Sequence, residues 1–142
     1  MIVDTNVIIS ALDTFAADHA IARRAIALAD ADRMLVANEI TFSELSGRYE
    51  NAEAVEQALS SLGVNVARLS LADCHRAGVA FRAYRRAGGE RTSILPDFLI
   101  GAHAEGMGWP ILTSDRKGFS SYFPNVSLIA PESFEPESVD NV

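Results

Sequence analysis

Hydrophobic residues along the chain form short continuous runs that alternate with longer amphipathic stretches. A short apolar run is typical of a strand that is buried on both faces, and five runs predict strands at residues 1–3, 33–37, 64–69, 109–113 and 126–129. Between them, apolar side chains recur at helical spacing, which predicts helices at residues 5–12, 16–31, 39–48, 52–62, 71–87 and 96–106. Alternating strands and helices indicate parallel βαβ units, so the predicted fold class is α/β, a three-layer α/β/α domain.

The chain has 142 residues, a length at which one domain can bury roughly two thirds of the surface of its unfolded form. Residues 1–131 contain all the predicted elements and form the predicted domain. Residues 132–142 contain four acids and no base, which predicts a disordered acidic tail.

The formal net charge of −7 would usually argue against a nucleic-acid partner, because phosphate contacts favour Lys and Arg. The tail accounts for −4 of this charge, and the remaining residues carry 15 acids and 12 bases. Eleven of these bases are Arg, whose planar guanidinium can bind a phosphate through two hydrogen bonds. The charge therefore leaves a nucleic-acid partner open.

Cysteine usage and hydropathy indicate the compartment. The single cysteine, Cys74, excludes an internal disulfide, and no segment has the pattern of a signal peptide. The apolar runs are also shorter than the roughly 20 residues that cross a bilayer. The sequence therefore predicts a cytoplasmic protein with no membrane partner.

Two of the predicted strands end in an acid. Asp4 follows the first apolar run, and Asp115 follows the fourth run, two positions after Thr113. The carboxyl ends of parallel strands form the edge at which open α/β sheets bind ligands. If the two strands are neighbours, Asp4 and Asp115 lie in one crevice.

Two further acids are candidates for the same crevice. Glu44 follows Ile40 by four residues, which predicts that Glu44 faces inward from the third helix. Asp97 begins the last predicted helix and shares a face with Gly101 and Ala104, whose small side chains would let this helix approach the sheet. The sequence thus offers four convergent carboxylates.

Each of the four acids also has a purely structural interpretation. Asp4 could cap the first helix, Asp97 could complement a helix dipole, and Asp115 could be a turn residue. Glu44 could lie on a solvated helix face. These interpretations weaken in combination, because four acids would have to fall at strand ends and inward helix faces by coincidence.

Four ionised carboxylates in one crevice would repel one another by about 1 to 4 kcal/mol per pair at ~4 Å, so protons or cations must enter. Mg²⁺ and Mn²⁺ prefer carboxylate oxygens and water, and no set of His or Cys residues has the spacing of a zinc site. The predicted cofactor is therefore Mg²⁺ or Mn²⁺, which would support displacement at phosphorus by an activated water.

Four motifs that contain these acids resemble the PIN domain, and more narrowly the VapC toxins of bacterial toxin–antitoxin pairs. The motifs are Val-Asp-Thr-Asn-Val at residues 3–7, Ser-Glu-Leu at 43–45, Pro-Asp-Phe-Leu-Ile-Gly-Ala-His-Ala at 96–104 and Leu-Thr-Ser-Asp at 112–115. The closing run at 115–131 is similar to one subgroup of these toxins. The resemblance implies a parallel five-stranded sheet between helices and an endoribonuclease that cleaves RNA with magnesium or manganese.

Carried over by position, the resemblance implies four metal ligands: Asp4, Glu44, Asp97 and Asp115. Thr5 and Thr113 would orient these acids or the attacking water, with Asn6 assisting. Many members carry a further acid before the Phe that follows their last Asp, whereas this chain has Gly118 before Phe119. The resemblance therefore does not decide between one metal ion and two. The resemblance also implies a homodimer and a VapB-like antitoxin partner.

Candidates for binding the RNA substrate are Asn6 and five bases. The bases are Arg82, Arg85, Arg86, Arg116 and Lys117. The first three lie three and four residues apart on one predicted helix, where they could share a face or stabilise the helix end. The last two directly follow Asp115, which places them beside the predicted site. By contrast, His75 and His103 have no acidic or Cys partner at ligand spacing, and Cys74 has no nearby base in the sequence. We interpret these three residues as structural.

Other functions remain compatible with parts of this pattern. A housekeeping RNA-processing nuclease would use the same acids, and a catalytically silent PIN module would bind RNA or protein without metal. A phosphoacceptor signalling domain also has acids at a sheet edge, but it would need an Asp at the end of a middle strand, whereas the third predicted strand ends at Leu69. The pattern therefore favours a nuclease.

Overall fold

Five short parallel strands form the centre of the molecule, whose computed structural model describes residues 1–136. The strands are β1 (Ile2–Val3), β2 (Leu35–Ala37), β3 (Val64–Val66), β4 (Ile111–Leu112) and β5 (Leu128–Ile129). They pair in the order β3-β2-β1-β4-β5, and every pairing is parallel. The predicted α/β fold with a parallel five-stranded sheet is confirmed.

The helices in the described residues are α1 (Thr5–Leu12), α2 (His19–Asp30), α3 (Glu39–Ser46), α4 (Ala52–Ser61), α5 (Leu71–Arg86), α6 (Pro96–Met107), α7 (Arg116–Ser120) and a closing 3-10 helix (Pro131–Phe134). Six of the α-helices match predicted helices, with ends that differ by three residues or fewer. Helix α7 was not predicted, because Phe119 is its one buried residue and gives no helical periodicity. None of the described helices has both the length and the apolar composition needed to span a membrane.

Hydrophobic side chains are buried on both faces of the sheet. Because successive strand residues point to opposite faces, Val3 packs with residues of α1 to α4, whereas Ile2 packs with residues of α5 to α7. Both side chains are fully buried. The sheet therefore lies between two helical layers, each with its own apolar cluster.

The central position of β1 determines where a site can form. Strand β1 pairs with β2 on one side and with β4 on the other, an arrangement that opens a crevice at the carboxyl end of β1. Val3 is in register with Leu112, and the Asp4 N–H donates to the Leu112 carbonyl over 2.9 Å. This pairing brings the segments that follow β1 and β4 to one edge of the sheet.

The chain beyond β5 continues into the 3-10 helix Pro131–Phe134. The 3-10 helix packs against α2, Phe134 lies against the core, and Arg24 Nε donates to the Phe134 carbonyl over 2.9 Å. The 3-10 helix thus extends into the first residues of the predicted tail, whose disorder stays a prediction. Residues 137–142 of the predicted tail lie outside the described residues, and the domain boundary at residue 131 stays a prediction.

Gly101 was expected to let α6 approach the sheet closely. The group that lies closest to it is instead an aromatic ring. A Cβ at Gly101 would overlap the ring of Phe123, and both residues are buried. Phe123 and Phe119 are packed within the same apolar cluster. The small residue thus serves the packing of α6 against the segment that follows α7.

We expect Gly101→Ala to lower the free energy of unfolding by about 1 to 3 kcal/mol, because an added methyl group would overpack this contact. Gly78→Ala is the matched control, since Gly78 lies in α5 with open space around an added Cβ. In a helix interior, Ala is favoured over Gly by up to about 1 kcal/mol. Urea unfolding measures both variants, and a Gly101→Ala variant as stable as the wild type would contradict the packing argument.

Candidate metal centre

Asp4 is the most buried of the four candidate acids. It occupies the N-cap position of α1, yet its side chain makes no capping hydrogen bond. Asp4 Oδ2 instead accepts a 2.8 Å hydrogen bond from Thr113 Oγ1. Burial raises the pKa of Asp4 against the opposing effect of the Thr113 hydrogen bond, and the charges of Glu44 and Asp115 raise it further. The helix-cap interpretation therefore does not account for this carboxylate.

Thr113 links the segments that follow β1 and β4. Its side chain is fully buried, and its Oγ1 donates to Asp4 while accepting the Asp115 N–H over 2.9 Å. A hydroxyl group can donate one hydrogen bond and accept another, so both bonds form together. This geometry is the one that an orienting role for Thr113 requires.

Asp115 is exposed and stands at the N-cap of α7. Its Oδ1 accepts the Gly118 N–H over 3.2 Å, so the turn interpretation describes one of its two oxygens. The other borders a second carboxylate, because a Cβ placed on Gly118 would lie 3.1 Å from Asp115 Oδ2 and 3.3 Å from Asp97 Oδ2. Asp115 thus caps a helix and also faces the crevice.

Asp97 lies in the first turn of α6, directly after Pro96, and is half-buried. Burial raises the pKa of Asp97, and the negative charges of Asp4 and Asp115 raise it further. The start of α6 therefore places this carboxylate near the acids that follow β1 and β4. Asp4, Asp97 and Asp115 thus share one edge of the sheet, whereas their role as metal ligands stays a prediction.

Glu44 departs from the prediction that it faces inward. The side of α3 that enters the core carries Thr41 and Leu45, whereas Ile40, which defined the predicted stripe, is only half-buried. Glu44 is therefore exposed at the rim of the site. Its carboxylate still contacts α1, because Glu44 Oε1 accepts a 2.9 Å hydrogen bond from Thr5 Oγ1.

The four acids lie around one edge of the sheet without forming a closed set of ligands. Among the described residues, no three acidic, histidine or cysteine side chains are close enough to hold one ion between them. Ion pairs within residues 1–136 form elsewhere, between Arg33 and Asp32 and between Arg76 and Glu105. Oxygen donors that repel one another, and that form no ion pair within residues 1–136, fit a hard divalent cation.

Three of the predicted substrate-binding residues lie beside the acids. Arg116 and Lys117 are exposed in the first turn of α7, directly after Asp115. Asn6 is exposed in the first turn of α1, two residues after Asp4. All three are therefore accessible to a ligand at this edge of the sheet.

The other predicted bases lie at the end of α5. Arg82, Arg85 and Arg86 are exposed there. Arg85 Nη1 donates to the carbonyl groups of Gly89 and Arg91 over 2.9 and 3.1 Å. Arg85 thus closes the loop after α5, which favours the structural interpretation for this one residue.

Two buried polar residues near the site were not predicted. Asn38 caps α3 by accepting two backbone N–H groups of its first turn, and its Nδ2 lies 3.2 Å from Nδ1 of the buried His103. Thr41 Oγ1 lies 2.9 Å from Thr5 Oγ1. The sequence signals that could have found them are an Asn directly before a helix and a Thr one turn before Glu44.

His103 lies in the core, which agrees with its structural interpretation. Its ring is buried beside Trp109, with 5.6 Å between the ring centres. Because the Asn38 amide oxygen faces the N–H groups of α3, its NH₂ group donates to His103 Nδ1, which requires a neutral imidazole. Burial lowers the pKa of His103 accordingly, although the charges of Asp73 and Glu39 act in the opposite direction.

We expect Asp97→Asn to stabilise the metal-free protein at pH 7.5 by a few tenths to about 1 kcal/mol, the scale of one partly exposed charge interaction. Folding raises the pKa of Asp97 above its usual 3.8, so the wild type loses stability as the pH rises through the folded pKa. The difference between variant and wild type should vanish below pH 3.8. Urea unfolding in EDTA at both pH values measures it, and a variant less stable at pH 7.5 would contradict the repulsion argument.

Comparisons with known proteins agree with this architecture. VapBC2 from Rickettsia felis, solved with a DNA fragment from its promoter, is similar with a TM-score of 0.69 and 16% identity over 91% of this chain and 96% of that chain. VapBC-1 from nontypeable Haemophilus influenzae has a TM-score of 0.68 and 22% identity over 92% and 96% of the two chains. FitAcB from Neisseria gonorrhoeae has a TM-score of 0.61 and 20% identity over the same shares. At these identities, the likeness establishes the fold.

The sequence itself was compared in two further ways. A search of curated proteins found no match. The family model of the PIN domain matches residues 1–122, a range that includes all four candidate acids and both threonines that contact them. This match covers most of the chain and agrees with the observed sheet order. The chain therefore belongs to the PIN domain family.

Proposed function

We propose that this protein is an endoribonuclease that depends on Mg²⁺ or Mn²⁺ and acts as the toxin of a VapBC-type toxin–antitoxin pair. The observation that carries the proposal is the placement of Asp4, Asp97 and Asp115 at one sheet edge. The Oδ2 atoms of Asp97 and Asp115 both border Gly118, and burial raises the pKa values of Asp4 and Asp97. Such a cluster is costly for an apo protein, and a divalent cation would offset the repulsion.

Each acid has a defined role in this proposal. The proposed ligands of the cation are Asp4, Glu44, Asp97 and Asp115. Thr113 orients Asp4 through its 2.8 Å hydrogen bond, and Thr5 orients Glu44 through its 2.9 Å hydrogen bond. A cation held there would polarise the phosphate and lower the pKa of a bound water.

Substrate binding is assigned to the exposed residues next to the acids. Arg116 and Lys117 would offset the charge of an RNA phosphate, since they follow Asp115 directly and lie in the solvent. Asn6 would contact the same phosphate from α1. The exposed Arg82 and Arg86 would extend this basic surface along the end of α5.

The proposed partners are a VapB-like antitoxin and a second copy of the chain. Support comes from the similar structures named VapBC2 and VapBC-1, each matched over 96% of its chain. An antitoxin segment that covers the acid cluster would silence the nuclease. Co-expression with the protein of an adjacent short gene, followed by mass measurement of the purified assembly, tests both partners.

The purified protein tests the reaction directly. We expect it to cleave single-stranded RNA in Mn²⁺ or Mg²⁺ and to stop when EDTA is added, with activity restored by excess Mn²⁺. A matched DNA strand of the same sequence distinguishes a ribonuclease from a general nuclease. Cleavage that continues undiminished in EDTA would overturn the proposed metal dependence.

A catalytically silent PIN module is the second candidate, favoured by one observation. The described residues hold no closed group of three metal-binding side chains, which a module without metal would also show. A silent module would bind RNA without cutting it and would release no heat on titration with Mn²⁺. A housekeeping RNA-processing nuclease would behave like the toxin in these assays but would not arrest growth when expressed alone.

A further inference from the structure

A chain of hydroxyl groups leads from the core of the protein to Glu44. Thr41 of α3 is fully buried, and Thr5 of α1 is 4% exposed. Thr41 Oγ1 lies 2.9 Å from Thr5 Oγ1, which in turn lies 2.9 Å from Glu44 Oε1. The chain therefore joins α3 to α1 and returns to α3.

The direction of these hydrogen bonds follows from the number of protons. A carboxylate only accepts hydrogen bonds, so the single hydroxyl proton of Thr5 goes to Glu44. Thr5 has no second proton for Thr41 and can only accept from it. Thr41 must therefore donate to Thr5, and the proton order is Thr41 to Thr5 to Glu44.

The position of the Glu44 carboxylate depends on this order of hydrogen bonds, because Glu44 is exposed at the rim of the site. Fixing an exposed Glu side chain costs up to about 2 kcal/mol of rotamer entropy, and the described contact that holds its carboxylate is the Thr5 hydrogen bond. A Thr5 hydroxyl free to rotate would spend part of its time directed away from Glu44. The hydrogen bond from Thr41 fixes that rotation.

We propose that Thr41 is a positioning residue of the metal centre, which acts through Thr5 to hold Glu44 in place. Thr41 has no contact with the cation or the substrate in this scheme. The inference rests on the proposed function, because it assigns Glu44 to the cation. It extends the site by a buried residue that belongs to the core side of α3.

Calorimetric titration of the full chain with Mn²⁺ tests the proposal. We expect Thr41→Val to weaken Mn²⁺ binding about fivefold, the scale of one neutral hydrogen bond, and Thr41→Ser to restore it to within about twofold of wild type. Ser43→Ala is the matched control, since Ser43 is next to Glu44 on α3 but its hydroxyl donates to the Glu39 carbonyl. This control should bind Mn²⁺ as the wild type does.

A double-mutant comparison separates positioning from a general loss of structure. In a Glu44→Ala background, Thr41→Val should leave the remaining Mn²⁺ affinity unchanged, because Glu44, the residue through which Thr41 acts on the cation, is absent. A further loss in that background, or unchanged binding by Thr41→Val alone, would overturn the inference while leaving the metal site intact. A wild type that binds no Mn²⁺ would instead overturn the proposed function, and this inference with it.

Discussion

Asp4→Asn is expected to reduce RNA cleavage by about a thousandfold while leaving the protein folded. In the proposed metal site, loss of the Asp4 charge would remove several kcal/mol of transition-state stabilisation, and each 1.4 kcal/mol corresponds to about tenfold in rate. The Asn side chain has the same shape, and its amide oxygen can still accept the hydrogen bond from Thr113. Removing a buried charge whose pKa is raised by burial also relieves repulsion, so stability should not fall.

The comparison needs cleavage and folding to be measured on the same samples. Single-turnover cleavage of a labelled RNA gives the rate, and thermal unfolding in EDTA gives the stability. Asp13→Asn is the matched control, because Asp13 lies at the opposite end of α1 and its Oδ1 accepts the Phe15 N–H. If Asp4→Asn cleaved RNA within tenfold of the wild type, Asp4 would not be a ligand on which the reaction depends.

Thr113→Val is expected to lower cleavage by about 10- to 100-fold, the usual cost of removing a residue that orients a metal ligand. Valine keeps the shape of Thr113 but removes the donor to Asp4 and the acceptor for the Asp115 N–H. The variant should also lose about 1 to 2 kcal/mol of stability, because buried groups lose their partners. At a temperature where the variant is still fully folded, the loss of stability should therefore not account for its lower cleavage rate.

Thr113→Ser is the control for this variant, since serine keeps the hydroxyl and loses only a methyl group. We expect it to recover most of the rate. The measurements are cleavage rates and Mn²⁺ affinities of both variants. Equal rates for Thr113→Val and Thr113→Ser would show that the hydroxyl does not orient Asp4 for the reaction.

The acids at strand ends could be predicted because their positions follow from the sheet alone. An apolar run that ends in Asp4 or Asp115 fixes each acid at the carboxyl edge once the strands are parallel, and the pairing of β1 with β4 places both at one edge. The position of Asp97 at the start of α6 could be predicted from Pro96, because a proline is favoured at the first position of a helix. These predictions needed only local sequence patterns.

The orientation of Glu44 could not be predicted in the same way. The predicted stripe used Ile40, but the capping of α3 by Asn38 and the packing of the helix turn Thr41 and Leu45 to the core instead. Successive residues of an α-helix point in directions about 100° apart, so an error of one residue in the predicted stripe turns a side chain from the core to the solvent. Tertiary packing, which one sequence does not reveal, therefore determined that Glu44 lies at the rim.

The end of the chain shows the same limit for a different reason. Acidic composition predicted disorder from residue 132 and gave no signal for the 3-10 helix, which packs against α2 with Phe134 against the core. Helix α7 was missed because its five residues give too short a pattern. Because Asp115 is the N-cap residue of α7, it has a capping role in addition to the predicted role in the crevice.

Titration of the wild-type protein with Mn²⁺, compared with Asp97→Asn, tests the central claim most directly. Burial and the neighbouring charges of Asp4 and Asp115 raise the pKa of Asp97, and in the proposed site a bound cation would offset these charges. The account predicts saturable Mn²⁺ binding by the wild type and binding at least about tenfold weaker by the variant, a loss of roughly 1.4 kcal/mol. No binding by the wild type, or equal binding by the two proteins, would contradict it.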